Sequence, residues 1–194
     1  MQIKRLFSTS SAKGTENYLN TQKKYEIIRT LLYFGVSAAL FIAGYIQTES
    51  RLNLLTVAAV LGCLPASKSA VSAIMFLRFK SCAPKQAEEI KTHSDGLAVL
   101  FDCVFTSYKK NFRVSHLAVR GNTVCGFAED KDFPENDFYT HINNILKLDG
   151  HKETTVKIFV SLPKYLERLD QMKGLGEEPA RTQAVLETLK SVML

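Results

Sequence analysis

IIRTLLYFGVSAALFIAGYI, residues 27–46, decides how the rest of the chain is read. From Leu31 to Ile46 it carries no charge. As an α-helix, about 20 residues cover about 30 Å, the thickness of a bilayer's hydrocarbon core. The core helix of a soluble protein has the same signature, but here a second run follows at once. It starts near Leu52, continues to Leu64, and resumes from Ala70 to Leu77 after Pro65-Ala66-Ser67-Lys68-Ser69. The link between the runs, residues 47–51, is so short that the two helices must be antiparallel neighbours. The pattern predicts an N-terminal transmembrane helical hairpin with a stem, residues 26–80, whose first partner is the lipid bilayer.

Charge sets the orientation. The 194 residues carry a formal net charge of +6, and the excess clusters around the apolar runs. Lys4, Arg5, Lys13, Lys23, Lys24 and Arg29 precede them, and Arg78, Lys80 and Lys85 follow. Basic flanks stay in the cytoplasm and are drawn to anionic lipid. Both termini are therefore expected to be cytoplasmic, as in a multi-pass protein of the cell membrane. No tryptophan is present, so an aromatic belt must use Tyr33 and Tyr45.

Lys68 and Pro65 are the membrane residues to weigh. If the turn centres near Glu49 and Ser50, Lys68 is level with Leu31, near the cytoplasmic headgroups, where a lysine can snorkel. The second span then ends near Lys68, and residues 70–79 form a separate element in or beneath the membrane. The alternative is one long helix, kinked at Pro65, with Lys68 facing a partner or a pore. Gly35, Ser37, Ala38, Ala39 and Gly44 leave room for close helix packing, including that of a homo-oligomer. Residues 1–25 are polar and read as a cytoplasmic tail. The opening MQIKRLFSTSSA is basic and acid-free like a transit peptide, but it is short and Glu16 follows.

Beyond Ser81-Cys82-Ala83-Pro84 the chain reads as an α+β domain, residues 85–194. A short helix from Lys85 to about His93 leads into a dense apolar strand over 97–106. Residues 112–120 and 123–128 form two more strands around the Gly121-Asn122 turn. A polar linker, 132–137, precedes a helix from Phe138 to Leu148, closed by Asp149-Gly150. Residues 154–160 give a fourth strand. A helix opens at Leu162-Pro163, and a last amphipathic helix begins near Pro179. The fold class is thus helix, three strands, helix, strand and two helices behind the hairpin.

That order is also the one found in the restriction-endonuclease-like core, which the domain resembles over about 80 residues by element order. The resemblance implies a metal-dependent nuclease with an acid near the second strand and an acid-x-lysine pair on the third. Glu129, Asp130 and Lys131 stand at the end of the third strand as candidate catalytic residues: two carboxylates can hold Mg²⁺ while a lysine orients water. The second strand has no acid, and Asp102 lies on the first, which departs from the pattern. The same Glu129–Asp132 run also reads as a solvated loop.

Other chemistry is sparse. Tyr108-Lys109-Lys110-Asn111-Phe112-Arg113 interleaves rings and charge, which makes Lys109, Lys110 and Arg113 candidates for phosphate or lipid contact. The stretch suits nucleic acid too, though nothing else in the sequence supports it, and it equally suits an ordinary hairpin loop. Cys63, Cys82, Cys103 and Cys125 show no CxxC pairing, and His93, His116, His141 and His151 are scattered, so no metal site is expected. There is no Walker loop, GxGxxG or HExxH, so no cofactor is expected.

TVAAVLGCLPASKSAVSAIMFLRF (56–79), VFTSYKKNF (104–112) and VKIFVSLPKYLERL (156–169) resemble an uncharacterised family of small two-span bacterial membrane proteins from Gram-positive anaerobes. That family has no known activity, so the resemblance implies location and organisation. The sequence is best read as a membrane-anchored cytoplasmic binding or regulatory module, non-enzymatic, with an unknown protein partner. The alternatives are the metal-dependent nuclease-like enzyme and a small oligomeric channel or transporter accessory built around Lys68.

Overall fold

A computed structural model describes residues 13–108, 110–176 and 178–194. Its described residues form an α+β fold with six helices and one four-stranded sheet. They divide into two compact units: residues 19–80, and residues 13–18 together with 81–194.

The first unit is the hairpin. Helix α1 (Tyr18–Thr48) and helix α2 (Leu54–Leu77) are both long and apolar enough to cross a membrane. Their contacts run in opposite directions along the two helices. Arg29 Nε donates to Ser69 Oγ at 3.3 Å, and the Thr30 and Ser69 hydroxyls lie 2.9 Å apart. A Cβ on Gly62 would stand 2.7 Å from Ser37 Oγ, and one on Gly44 would stand 2.8 Å from Leu55 Cβ. Small residues therefore let the two helices of one hairpin approach, whereas Gly35 faces open space. Asn53 closes the turn: its side chain accepts from Thr56 N–H at 2.7 Å and donates to Ser50 O at 2.8 Å. The most apolar windows of the helices are only 11% and 17% buried, which is not how a soluble protein treats its core helices.

Two expectations change here. The first helix starts at Tyr18, so residues 18–25 are helical and not tail. No glycine or proline interrupts that stretch, and side-chain bonds from Gln22 and Arg29 to Glu26 reinforce its turns. The second helix does not end near Lys68. It runs through Pro65 to Leu77, so residues 70–77 are not a separate element. A proline removes one backbone bond; the helix continues because Ala66, Ser69, Ala73 and Phe76 keep one buried face in phase across it.

The second unit holds the sheet. Strands β1 (Ala98–Thr106), β2 (Asn111–Arg120) and β3 (Thr123–Phe127) form an antiparallel meander, and β4 (Thr155–Phe159) joins β3 in parallel. The β3–β4 crossover contains α4 (Glu135–Leu148). It starts three residues earlier than expected, because Glu135 and Asp137 suit the positive end of a helix. Together with α6 (Pro179–Val192), α4 covers one face around Phe105, Phe112, Leu117 and Ile158. On the opposite face, α3 (Pro84–Ser94) and α5 (Leu162–Lys173) pack around Ile90, Phe101, Phe127 and Tyr165.

The exposed edge of β1 is covered from both ends of the described chain. Phe101 N–H donates to Gly14 O at 2.8 Å, and Leu194 N–H donates to Val104 O at 2.9 Å. Lys13 Nζ reaches Met193 O at 2.6 Å. Residues 13–18 thus belong to the sheet unit, which the expected division into 1–25, 26–80 and 85–194 missed. Capping an edge strand in this way removes a template for aggregation.

Candidate functional site

The alternation of strand residues slips at one level of the sheet, and the candidate site lies there. Leu100 and Cys103 both face α4 and α6, although they are three residues apart. Phe101 and Asp102 between them both point the other way, toward α3. On β2 the same happens: Val114 and Leu117 share one face, and Ser115 and His116 share the other. Pairing stays in register across the slip, with Phe101 opposite His116 and Cys103 opposite Val114. Asp102 achieves this by adopting φ 53°, a left-handed conformation that is uncommon for a non-glycine residue and costly inside a strand. The slip puts a buried carboxylate, a buried hydroxyl and Arg113 on one face beside the start of α3.

Glu129, just past the end of β3, completes the group. Its Oε2 accepts from Arg113 at 2.8 Å, and its Oε1 accepts from Ser115 Oγ at 3.1 Å and from Ala83 N–H at 3.2 Å. Arg113 also donates to Ser81 O at 3.3 Å, and Asp102 Oδ1 accepts from Cys82 N–H at 2.8 Å. Three of these bonds end on residues 81–83. Burial alone would raise the Glu129 carboxyl, but the Arg113 guanidinium outweighs it, helped by Ala83 and Ser115, and holds it below its ordinary value. The Cys82 thiol is pushed up to about 12, by burial first and then by the charge and hydrogen bond of Glu129.

These facts say what the cluster can do. A carboxylate whose oxygens are filled by a guanidinium, a hydroxyl and a backbone N–H has little capacity left for a cation, and Arg113 already supplies the positive charge a metal would bring. A general base at neutral pH needs a raised carboxyl, and Glu129 is shifted the other way. A thiol held near 12 is not a nucleophile. What remains is a clamp that fixes the backbone of 81–83 to the sheet.

The other residues singled out from the sequence are dispersed. Asp130 Oδ1 accepts from Asp132 N–H at 3.0 Å and shapes its own loop, while Lys131 is exposed. Lys110 pairs with Asp137 at 2.6 Å, and Arg113 points into the clamp. Lys109 lies outside the described residues. Lys68 is exposed on α2, three residues past Pro65. Among the described residues no group of three His, Cys, Asp or Glu side chains could hold a metal.

Two polar groups have no signal in sequence spacing. His116 is fully buried, its Nδ1 is 2.6 Å from the Tyr165 hydroxyl, and its ring packs edge-on against Phe101. Burial pushes its pKa down to about 3. Thr188, Asp149 and His151 hold the residue types of a hydrolytic triad but not its geometry. Thr188 donates to Asp149 and lies 3.3 Å from His151 Nε2, while that same nitrogen is 3.8 Å from Asp149. A relay needs the nucleophile and the acid on opposite ring nitrogens. This group fastens the turn after α4 to α6.

Comparison of the chain with family models, curated proteins and solved structures found no match.

Proposed function

We propose that the chain is a membrane-anchored cytoplasmic binding or regulatory module, without catalysis of its own, that spans the cell membrane twice with both termini in the cytoplasm. The observation that carries this reading is the Glu129 clamp. The acid-x-lysine constellation at the end of the third strand has its first carboxylate ion-paired to Arg113 and bonded to the chain at Ala83. Side chains that could have served chemistry are used to grip the segment joining α2 to the sheet unit. The outward-facing apolar stripes of α1 and α2 support the anchor, since Leu31, Ile46, Val60 and Leu64 are each at least 63% exposed. The basic flanks support the orientation.

Topology favours a second reading. The meander with β4 parallel to β3 is the arrangement expected of a nuclease-like core, and Glu129 stands beside the start of β2, where such a site would lie. Calorimetric titration of the full chain in detergent with Mg²⁺ and Mn²⁺, wild type against Glu129→Ala, separates the two. The proposal expects no binding heat from either protein. Binding that disappears in Glu129→Ala refutes it in favour of the enzyme.

A further inference from the structure

Lys68 is the one charged residue of α2. Leu64 and Val71, on the same side of α2, are 69% and 61% exposed, while the exposed Ile74 and Leu77 lie farther round the helix. The lysine therefore interrupts a surface that is otherwise made for lipid. Its neighbour at nearly the same level, Arg29, is neutralised by Glu26 and bonded to Ser69. Among the described residues Lys68 has no such carboxylate.

Depth can be read from the helix pairing. Arg29 and Thr30 meet Ser69, Ser37 meets Gly62, and Gly44 meets Asn53, so Ile27 is level with about Ser72. Ile27 is the last exposed large apolar residue of α1 toward that end. Lys68 then lies about one helical turn, or roughly 6 Å, on the apolar side of the boundary read from α1, and deeper by α2, where Ile74 and Leu77 are still exposed. A lysyl chain spans that distance to the phosphate layer but not to bulk water beyond it. In α2 the Cα–Cβ bond also tilts toward the N-terminus, away from the boundary, so the ammonium does not escape easily. A cation held at this depth needs an anion brought to it.

A second copy of the hairpin cannot supply one. Residues 19–80 contain two carboxylates. Glu26 is buried and engaged by Gln22 and Arg29, and Glu49 sits at the turn, at the opposite end of the helices. The component that surrounds this face and does carry an anion is phospholipid. Resting on the membrane-spanning reading above, we propose that Lys68 binds the phosphate of an anionic phospholipid, and that the hairpin selects such lipids from a mixed bilayer.

The test reconstitutes the full chain in nanodiscs of phosphatidylcholine with a minor fraction of phosphatidylglycerol, after vesicle flotation has shown that it inserts. Lipids retained on gentle release into detergent are counted by native mass spectrometry. Wild type is expected to retain phosphatidylglycerol about fivefold over its bulk share, the preference worth one lysine at a membrane surface. Lys68→Gln should return the ratio to bulk, Lys68→Arg should keep it, and Lys24→Gln, which removes an exposed lysine outside the apolar stripe, should change it little. No preference in wild type overturns the proposal. Equal losses in Lys24→Gln and Lys68→Gln overturn it as well, in favour of diffuse surface charge. Retention of a protein partner at Lys68 in place of lipid overturns it in favour of a carboxylate from another chain. A chain that fails to float refutes the membrane-spanning reading itself, a failure distinct from the others.

Discussion

Lowering the pH from 7 to 5 should cost the sheet unit about 2 kcal/mol through His116 alone. The imidazole is fully buried between β2 and α5, and its Nε2 has no hydrogen-bond partner among the described residues. A proton added there would leave a charged N–H facing Phe101 and the surrounding core, which is why burial lowers the folded value from 6.5 to about 3. The unfolded chain takes up the proton near pH 6.5 and the folded one does not. Stability from this residue is therefore complete above about pH 6.5 and declines as pH falls from there toward 3. At pH 5 the gap is about 1.5 pH units, and at about 1.4 kcal/mol per unit it gives the stated cost. The assay is urea unfolding of the full chain in detergent at pH 7 and pH 5, followed by the near-ultraviolet tyrosine signal, since the chain has no tryptophan. The same pair of measurements on His116→Gln removes every other titrating group by difference. A wild-type pH dependence that equals that of His116→Gln would refute the assignment. So would a His116 ring resonance that titrates in the folded protein between pH 5 and 7.

Other expectations follow from the two units. With Cys63 replaced, Ser37→Cys combined with Gly62→Cys should form an intramolecular disulfide on mild oxidation, because a Cβ on Gly62 stands 3.7 Å from Ser37 Cβ, within the range such bonds need. A crosslink formed only between chains would mean that the helices pair differently. Gly126→Ala should destabilise the sheet unit by about 1–3 kcal/mol in urea melts, since the new methyl would stand 2.6 Å from Ile158 Cδ1 and 2.7 Å from Leu117 Cδ2; an unchanged midpoint would show that both side chains can move aside. Arg113→Ala should cost about 2 kcal/mol, as it leaves a half-buried Glu129 without its guanidinium. It should also expose the bond after Ser81 to limited proteolysis, and resistance equal to wild type would argue against the clamp.

Much of the domain was legible from punctuation. Gly121-Asn122 and Asp149-Gly150 fixed the ends of β2 and α4, and alternation of apolar residues with breakers located the four strands to within a residue or two. The clamp was not legible. Arg113 sits among Lys109, Lys110 and Tyr108 in sequence and reads as part of a basic loop, but its direction is set by the sheet face it occupies. That face depends on the slip at Asp102 and Ser115, and β1 is buried on both faces, so its apolar run shows no alternation in which a slip could be seen. Glu129 has the same difficulty: its partners come from β2 and from residue 83, and spacing along the chain does not encode them. At the hairpin, the helix end expected near Lys68 came from placing that lysine level with the headgroups, while the continuous buried face of α2 lies outside any local window.

The strap of residues 13–18 has a bearing on how the protein is made. These residues and 81–194 complete one unit, yet the whole of α1 and α2 is synthesised between them. When Gly14 leaves the ribosome its partner Phe101 does not yet exist, and by the time it does, both helices of the hairpin have been made. The Gly14 half of the guard on β1 thus closes only after both helices have been made, and the Leu194 half later still. Until both halves close, the nascent chain carries an unguarded strand edge, which is the kind of surface that quality-control proteases and chaperones recognise.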